Sequence, residues 1–234
     1  MQEHISKDAR FLLNLRDLPV AMTEVPERVL EVVTFLARLP EEHRMFAFCF
    51  EDPFGEYLPE GLEAWTASLR RTMDSNGWSS GKLLVHIHQK WDLQTASQLD
   101  CLSAGADGVW ASLCEEGAAL GHACSSVTMM NLVRMGNEKI RMKYNCKHLR
   151  TAAAEITKIT TGKDPHPKQP IYGARACDLV FGFLGIGDFD VADFFGVDAP
   201  KRITTLATTD MLKERLTKLF GVNEQFNGKI AGKM

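Results

Sequence analysis

The stretch KLLVHIHQKWDLQTASQLDCLSAG, residues 82–105, contains a complete strand–helix unit. Its first seven residues, 82–88, form a short apolar run that is typical of a buried strand. Residues 93–105 follow with a helical pattern that ends at Gly105. A buried strand that leads directly into a helix predicts a βα unit of an α/β protein.

The same unit recurs on both sides of this stretch. Apolar runs at nearly every position are typical of parallel strands covered on both faces, and their alternation with helices predicts either a doubly wound sheet or a (β/α) barrel. Beyond about residue 135 the alternation stops, and the pattern becomes mostly helical. The predicted strands are 10–15, 44–50, 82–88 and 107–113, and the predicted helices are 25–39, 58–77, 93–105, 125–136, 147–160 and 210–221.

The composition of the chain excludes several classes of function. Among 234 residues, 27 are basic and 30 are acidic, so no positive field favours nucleic acid or an anionic membrane. No apolar stretch reaches the roughly 20 residues of a membrane-spanning helix, and the N-terminus has no signal-peptide core. The six cysteines form no CxxC pair. We therefore expect reduced thiols and a cytoplasmic or organelle-matrix protein.

His86 and His88 are candidate metal ligands. Residues two apart on a strand point to the same face, so both imidazoles can reach one ion. Neutral imidazole is a common ligand of transition metals. The pair also lies at the carboxyl end of its strand, where active sites of parallel α/β proteins are found. The alternative is a strand end that carries two hydrogen-bonded histidines.

Candidate functional residues also follow the neighbouring strands. Glu51 and Asp52 come at the end of one strand, where a catalytic or supporting role competes with a role in forming the turn. After the last strand, glycines allow close approach of the backbone, and His122 lies at the mouth of a helix. His122 is either a third ligand or a histidine that bonds a nearby carboxylate, Glu115 or Glu116.

These motifs resemble those of the superfamily that contains HMG-CoA lyase, the isopropylmalate and homocitrate synthases, and the pyruvate carboxyltransferase domains. The strand-6 motif of that superfamily reads D-T-x-G-x-x-x-P, and here Asp52, Gly55 and Pro59 match it, with Pro53 in place of threonine. Its strand-7 motif, H-x-H-N-D-x-G-x-A-x-A, supplies two metal ligands. The corresponding stretch here is HIHQKWDLQTA, residues 86–96.

The strand-7 and strand-8 motifs match with substitutions. Both histidines of the pair and Ala96 agree, whereas Lys90 and Asp92 replace the aspartate and glycine of the superfamily. The strand-8 motif, G-x-G-x-x-x-G-N-A, contains an asparagine that is often a metal ligand. At that position, 34 residues after His88, this chain has His122. The remaining matches to this motif are Gly117, Gly121 and Ala123.

The resemblance covers roughly residues 10–182 and concerns the C-terminal half of the barrel. The segment 168–178 is similar to a P-[IV]-x-G segment beyond the barrel, but the later histidine–glycine motif is missing from 179–187. The only stretch similar to the strand-1 motif D-x-T-L-R-D-G is 14–22, which lies one unit before the strand-6 motif. It therefore corresponds to strand 5, and its Arg16 and Asp17 do not take the strand-1 roles.

The resemblance implies an α/β fold of the (β/α) TIM-barrel type, represented by strands 5–8 and a C-terminal helical extension. Residues 1–146 would form the half-barrel and residues 147–234 the segment after the barrel. Four parallel strands taken from a barrel leave two unpaired edges and an apolar face that must be covered. We therefore expect a homo-oligomer or a second chain that supplies strands 1–4.

The resemblance also implies a function. It predicts a divalent metal ion (zinc, manganese or magnesium) held by His86, His88 and His122, with Asp52 as a residue that orients substrate or water. Glu51 is the other catalytic candidate, from its place at the end of the same strand. Histidine in place of an amide ligand favours zinc, manganese or iron over magnesium. The expected activity is a carbon–carbon lyase or a Claisen- or aldol-type synthase that acts on a 2-oxo acid or an acyl-CoA. The alternative is a non-catalytic partner subunit or remnant that needs the missing half for activity.

Overall fold

Four parallel strands form the sheet of this protein in a computed structural model, which describes residues 9–88, 92–114, 121–178, 194–197, 202–223 and 225. The order of the strands in the sheet is their order in the chain, and all three neighbouring pairs are parallel. The strands are β1 (Leu12–Leu15), β2 (Ala47–Asp52), β3 (Lys82–Ile87) and β4 (Gly108–Trp110). The predicted α/β class with four parallel strands is therefore confirmed.

Within the residues that the structure describes, the α-helices follow the strands as the sequence predicts, with two additional α-helices. The predicted helices correspond to α2 (Pro26–Ala37), α3 (Pro59–Ser75), α4 (Gln94–Ser103), α5 (Ser125–Arg134), α7 (Cys146–Thr161) and α8 (Thr209–Phe220). The additions are α1 (Leu18–Glu24) and α6 (Lys139–Lys143). Both are shorter than two full turns, and helices this short depend on tertiary contacts rather than on sequence periodicity. In α1, Leu18 and Met22 are buried and supply such contacts.

The core of the protein lies between one face of the sheet and the helices. Alternate strand residues point to this face, and Phe48, Phe50 and Val85 are completely buried there. Leu62, Leu69 and other apolar helix residues pack against them in one cluster, which includes residues of α1, α2, α3 and α4. The sequence pattern predicted a sheet covered on both faces, whereas the sheet residues of this cluster all lie on one face.

The opposite face of the sheet carries most of the polar strand residues. The register pairs Glu51 of β2 with His86 of β3, and His86 with Trp110 of β4. Residues in register on parallel strands point to the same side, so these three side chains form one row across three strands. Asn14 of β1 lies on the same face, because its register partner Cys49 is two residues from Glu51.

Glu51 and Asp52 are the last two residues of β2, whereas the sequence predicted that the strand ends at residue 50. Successive strand residues point to opposite faces of a sheet. The two carboxylates therefore separate: Glu51 joins the polar face and Asp52 the face that packs against the helices.

The chain divides into two compact units, Met1–Leu132 and Val133–Met234. In the second unit, the Asn145 side chain accepts a hydrogen bond from the His148 amide at the start of α7. Gly221 ends α8, as predicted. The predicted division into 1–146 and 147–234 concerns the extent of a half-barrel and stays a prediction. Within the described ranges, no helix is long and apolar enough to cross a membrane.

Candidate metal centre

His86 and His88 lie together at the carboxyl end of β3, on its polar face. Each side chain is buried, with 8% of its residue surface exposed. The strand pairing continues past β3, because the His88 amide donates a hydrogen bond to the Asp52 carbonyl at 3.1 Å. This pairing fixes the backbone of both histidines, so their common face follows from the alternation of the strand.

His122 reaches the pair because the chain returns to the sheet after β4. The Ser112 amide donates to the Ala123 carbonyl at 2.9 Å, and the Ser125 amide donates to the Ser112 carbonyl at 2.8 Å. His122 itself forms an antiparallel bridge with His88. These backbone contacts place His122 opposite the histidine pair, and α5 begins three residues later.

The three imidazoles form one compact cluster. The Nε2 atoms of His86 and His122 are 2.7 Å apart, and each histidine offers a nitrogen within 4.8 Å of the other two. Zinc–nitrogen bonds are about 2.0–2.1 Å long, so two nitrogens on one ion are at most about 4 Å apart. Small side-chain rotations bring the three nitrogens into that range. The cluster therefore fits a divalent transition metal.

The charge state of the histidines also suits metal binding. Burial lowers the pKa of His86 to about 4, and His88 and His122 act in the same direction against the opposing charge of Glu51. Burial, followed by the charge of His88, also lowers the pKa of His122. Both imidazoles are therefore neutral at neutral pH, and the neutral form is the one that offers a lone pair to a metal ion.

Glu51 is the carboxylate that faces the cluster. Its Oε1 lies 3.4 Å from His88 Nε2, and its Oε2 lies 3.7 Å from His86 Nδ1. Burial raises the pKa of Glu51, but the hydrogen bond from Asn14 and the charges of the two histidines and Arg16 outweigh it and lower the pKa. At neutral pH, where His86 is uncharged, the Asn14 hydrogen bond and the Arg16 charge still favour the ionised carboxylate.

Asp52 is not part of the cluster. It points to the helix-packed face, and its Oδ1 accepts hydrogen bonds from the amides of Phe54 and Gly55 at 3.3 and 3.0 Å. Burial raises its pKa, in spite of these hydrogen bonds. The contacts of Asp52 are those of a residue that holds the turn after β2. A part for Asp52 in catalysis stays a prediction.

Two residues at the site were not among the sequence candidates. Asn14 donates a hydrogen bond from Nδ2 to Glu51 Oε2 at 2.7 Å. Trp110, which is 46% exposed, lies against His86 with 4.7 Å between the ring centroids. The signal for Asn14 is a single polar residue near the end of an otherwise apolar strand. For Trp110 the signal is its place at the end of the strand after the histidine pair.

Some sequence predictions fall outside the described residues. Lys90, Glu115, Glu116 and Gly117 belong to this group. The alternative in which His122 bonds Glu115 or Glu116 therefore stays open.

Cys49, on the same face as Glu51, has its pKa raised to about 12 by burial and by the Glu51 charge. A thiol with this pKa is protonated at neutral pH and is a poor nucleophile.

Comparison with known proteins gives similarity to solved structures alone, since no family model and no curated protein matches the chain. The carboxyl transferase domain of Rhizobium etli pyruvate carboxylase, solved with 3-bromopyruvate, is 12% identical over 70% of this chain and 25% of that chain, with a TM-score of 0.49. The same domain solved with pyruvate is 18% identical over 62% of this chain and 23% of that chain, with a TM-score of 0.42. This chain thus spans about a quarter of the length of these structures.

Proposed function

We propose that this protein is a divalent-metal-dependent enzyme that makes or breaks carbon–carbon bonds in a 2-oxo acid or an acyl-CoA. The observation that carries the proposal is the cluster of His86, His88 and His122, in which the first two are buried at the carboxyl end of β3 and the third is partly buried. The second support is the resemblance of its sequence motifs to those of the lyase and carboxyltransferase superfamily. Zinc and manganese suit three imidazole ligands better than magnesium, which prefers oxygen.

The residues of the cluster have separate tasks in this proposal. His86, His88 and His122 hold the ion, and burial keeps His86 and His122 neutral. When bound, the ion supplies Lewis-acid stabilisation of negative charge on the substrate oxygen. Glu51 contributes the negative charge next to the cluster. Asp52 lies on the other face of the sheet and holds the turn after β2.

The four strands would be one half of a (β/α) barrel, corresponding to strands 5–8. This is supported by the strand order and by the two outer strands of the described sheet, each of which has one paired edge. Leu12 on β1 is 39% exposed and Trp110 on β4 is 46% exposed. A second copy of the chain, or another chain with strands 1–4, would cover these edges. Light scattering at micromolar concentration tests this, and a monomer would contradict the homo-oligomer.

The first experiment is to measure the metal content of the purified protein by elemental analysis. The comparison protein is the double variant His86→Ala/His88→Ala, with His43→Ala as a control because His43 is an exposed histidine away from the cluster. We expect close to one metal ion per chain in the wild type and in the control, and none in the double variant. Absence of metal from the folded wild type after incubation with zinc and manganese would contradict the proposal.

Metal binding by itself would not identify the reaction, which needs a separate activity measurement. Turnover of a 2-oxo acid or an acyl-CoA by the wild type, lost in the double variant, would support the enzyme. The alternative, a non-catalytic partner subunit, is favoured by the replacement of the superfamily's aspartate by Lys90. Metal binding without turnover, followed by activity when a chain with strands 1–4 is added, would favour this alternative.

A further inference from the structure

Glu51 has a position that no sequence motif assigns. It is the register partner of His86 on the neighbouring strand, and its side chain is 12% exposed. The two backbones are held by the parallel ladder between β2 and β3, which continues to the bond between the His88 amide and the Asp52 carbonyl. A carboxylate in this place is fixed relative to both histidines of the pair.

The carboxylate of Glu51 is anchored from the side away from the histidines. Asn14 Nδ2 donates to Oε2 at 2.7 Å. This hydrogen bond restrains the rotation of the carboxylate plane, so that Oε1 and Oε2 are presented to two different imidazoles. Oε2 lies 3.7 Å from His86 Nδ1, and Oε1 lies 3.4 Å from His88 Nε2.

The two ring nitrogens of His86 have different neighbours. Its Nε2 lies 2.7 Å from His122 Nε2. Its Nδ1 is completely buried and makes no hydrogen bond to any described residue. Across the strands, the Glu51 carboxylate lies 3.7 Å from this nitrogen. A small rotation of either side chain closes the 3.7 Å gap to hydrogen-bond length.

An ionised carboxylate can only accept hydrogen bonds. It therefore selects the histidine tautomer that carries the proton on the nitrogen facing it. For His86 this is the Nδ1–H form, which leaves the lone pair on Nε2, toward His122. For His88 it is the Nε2–H form, which leaves the lone pair on Nδ1. Such carboxylate–histidine contacts orient the ligands of metal sites and fix their tautomers.

We propose that Glu51 is a positioning residue that fixes opposite tautomers in His86 and His88, so that His86 offers Nε2 and His88 offers Nδ1 to the metal ion. This inference rests on the proposed metal site for its purpose, but the tautomers themselves belong to the metal-free protein. Asn14 supports the arrangement through its hydrogen bond to the carboxylate. The hydrogen bond between His86 and His122 then has His122 Nε2–H as the donor.

The test is a long-range proton–nitrogen NMR spectrum of the imidazoles in the full chain, metal-free and at pH 7.5. Resonances are assigned with His86→Gln and His88→Gln variants. We expect His86 in the Nδ1–H form and His88 in the Nε2–H form in the wild type. Finding His86 predominantly in the Nε2–H form would overturn the inference. The tautomers are read from the wild-type spectrum, and the two variants serve only to assign its resonances.

The second arm of the test is the variant Glu51→Gln, with Glu63→Gln as a matched control on the exposed surface of α3. In Glu51→Gln we expect a mixture of tautomers and a loss of zinc affinity of about 10- to 100-fold, measured by competition with a chelator. The control should match the wild type in both readouts. Unchanged tautomers in Glu51→Gln would also overturn the inference. The expected tautomers in a wild type that binds no zinc would support this inference and contradict the proposed function.

Discussion

The Nε2 atoms of His86 and His122 lie 2.7 Å apart, although 36 positions separate the two residues in the chain. The contact requires the turn of the chain after β4 and its return along Ser112 and His88. Two neutral imidazoles can share one proton in this geometry, and one ion can take the place of that proton.

The first prediction concerns His122 as a metal ligand. Removing the imidazole in His122→Ala should lower the zinc affinity by roughly 100-fold or more, since loss of a ligand exceeds the effect of losing a supporting contact. His43→Ala serves as the control. The measurement is competition with a chelator of known affinity. A zinc affinity equal to that of the wild type would mean that His122 only borders the site.

The second prediction concerns the stability of the metal-free protein at acidic pH. Burial lowers the pKa of His86 to about 4 in the folded protein, from its ordinary value of 6.5. Below pH 6.5 the unfolded chain therefore binds a proton that the folded protein does not bind. Above pH 6.5, the contribution of His86 to the free energy of unfolding does not change with pH. As the pH is lowered from 6.5 to 4, this contribution lowers the free energy of unfolding by about 3 kcal/mol.

This pH dependence can be measured by urea unfolding in the presence of a chelator. In His86→Asn the fall between pH 6.5 and pH 4 should be smaller than in the wild type, because the variant has no imidazole at this position. His122 acts in the same direction, since its pKa is also lowered, so some pH dependence remains. Equal slopes in the two proteins would contradict the buried, neutral state of His86.

The third prediction separates Asp52 from the histidine cluster. Asp52→Ala removes the acceptor of the hydrogen bonds from the Phe54 and Gly55 amides, which should cost about 1–3 kcal/mol of stability. Its zinc affinity should equal that of the wild type, because the side chain points to the opposite face of the sheet. Unfolding in urea and chelator competition give the two quantities. A loss of zinc affinity as large as in His122→Ala would contradict this placement.

The fourth prediction compares two glycines. A Cβ atom added at Gly81 would lie 2.3 Å from Nε1 of Trp78, which is 2% exposed. Gly81→Ala should therefore destabilise the protein by about 1–3 kcal/mol. A Cβ atom at Gly61, inside α3, meets nothing within 4 Å. Gly61→Ala should raise stability by about 0.5–1 kcal/mol. Urea midpoints that shift in the same direction in both variants would contradict this difference.

The fifth prediction concerns Arg70, which links α3 to the start of β3. Its guanidinium donates to the Gly81 carbonyl at 2.9 Å and to the Trp78 carbonyl at 3.0 Å, and it lies 3.4 Å from Asp107. Arg70→Ala should lower the free energy of unfolding by about 2–3 kcal/mol, because these partners lose a charged donor. The neighbouring exposed variant Arg71→Ala should change it by less than about 0.5 kcal/mol.

The sequence by itself determined the order of strands and helices in this protein. Short apolar runs that alternate with helical patterns identify β1 to β4 and the helices after them, because both periodicities are local properties of the chain. The pair His86 and His88 was also predictable, since alternation places residues two apart on one face. The short α1 was not predictable, because its burial of Leu18 and Met22 depends on the sheet.

Only the tertiary structure decided which groups meet at the site. The register of β2 against β3 places Glu51, and not Asp52, next to the histidines. A register shifted by one residue would reverse which of the two carboxylates faces them. The contact of Asn14 with Glu51 and that of Trp110 with His86 likewise join residues of different strands. Strand alternation is fixed along the chain, whereas register and the return of His122 are fixed by hydrogen bonds between distant segments.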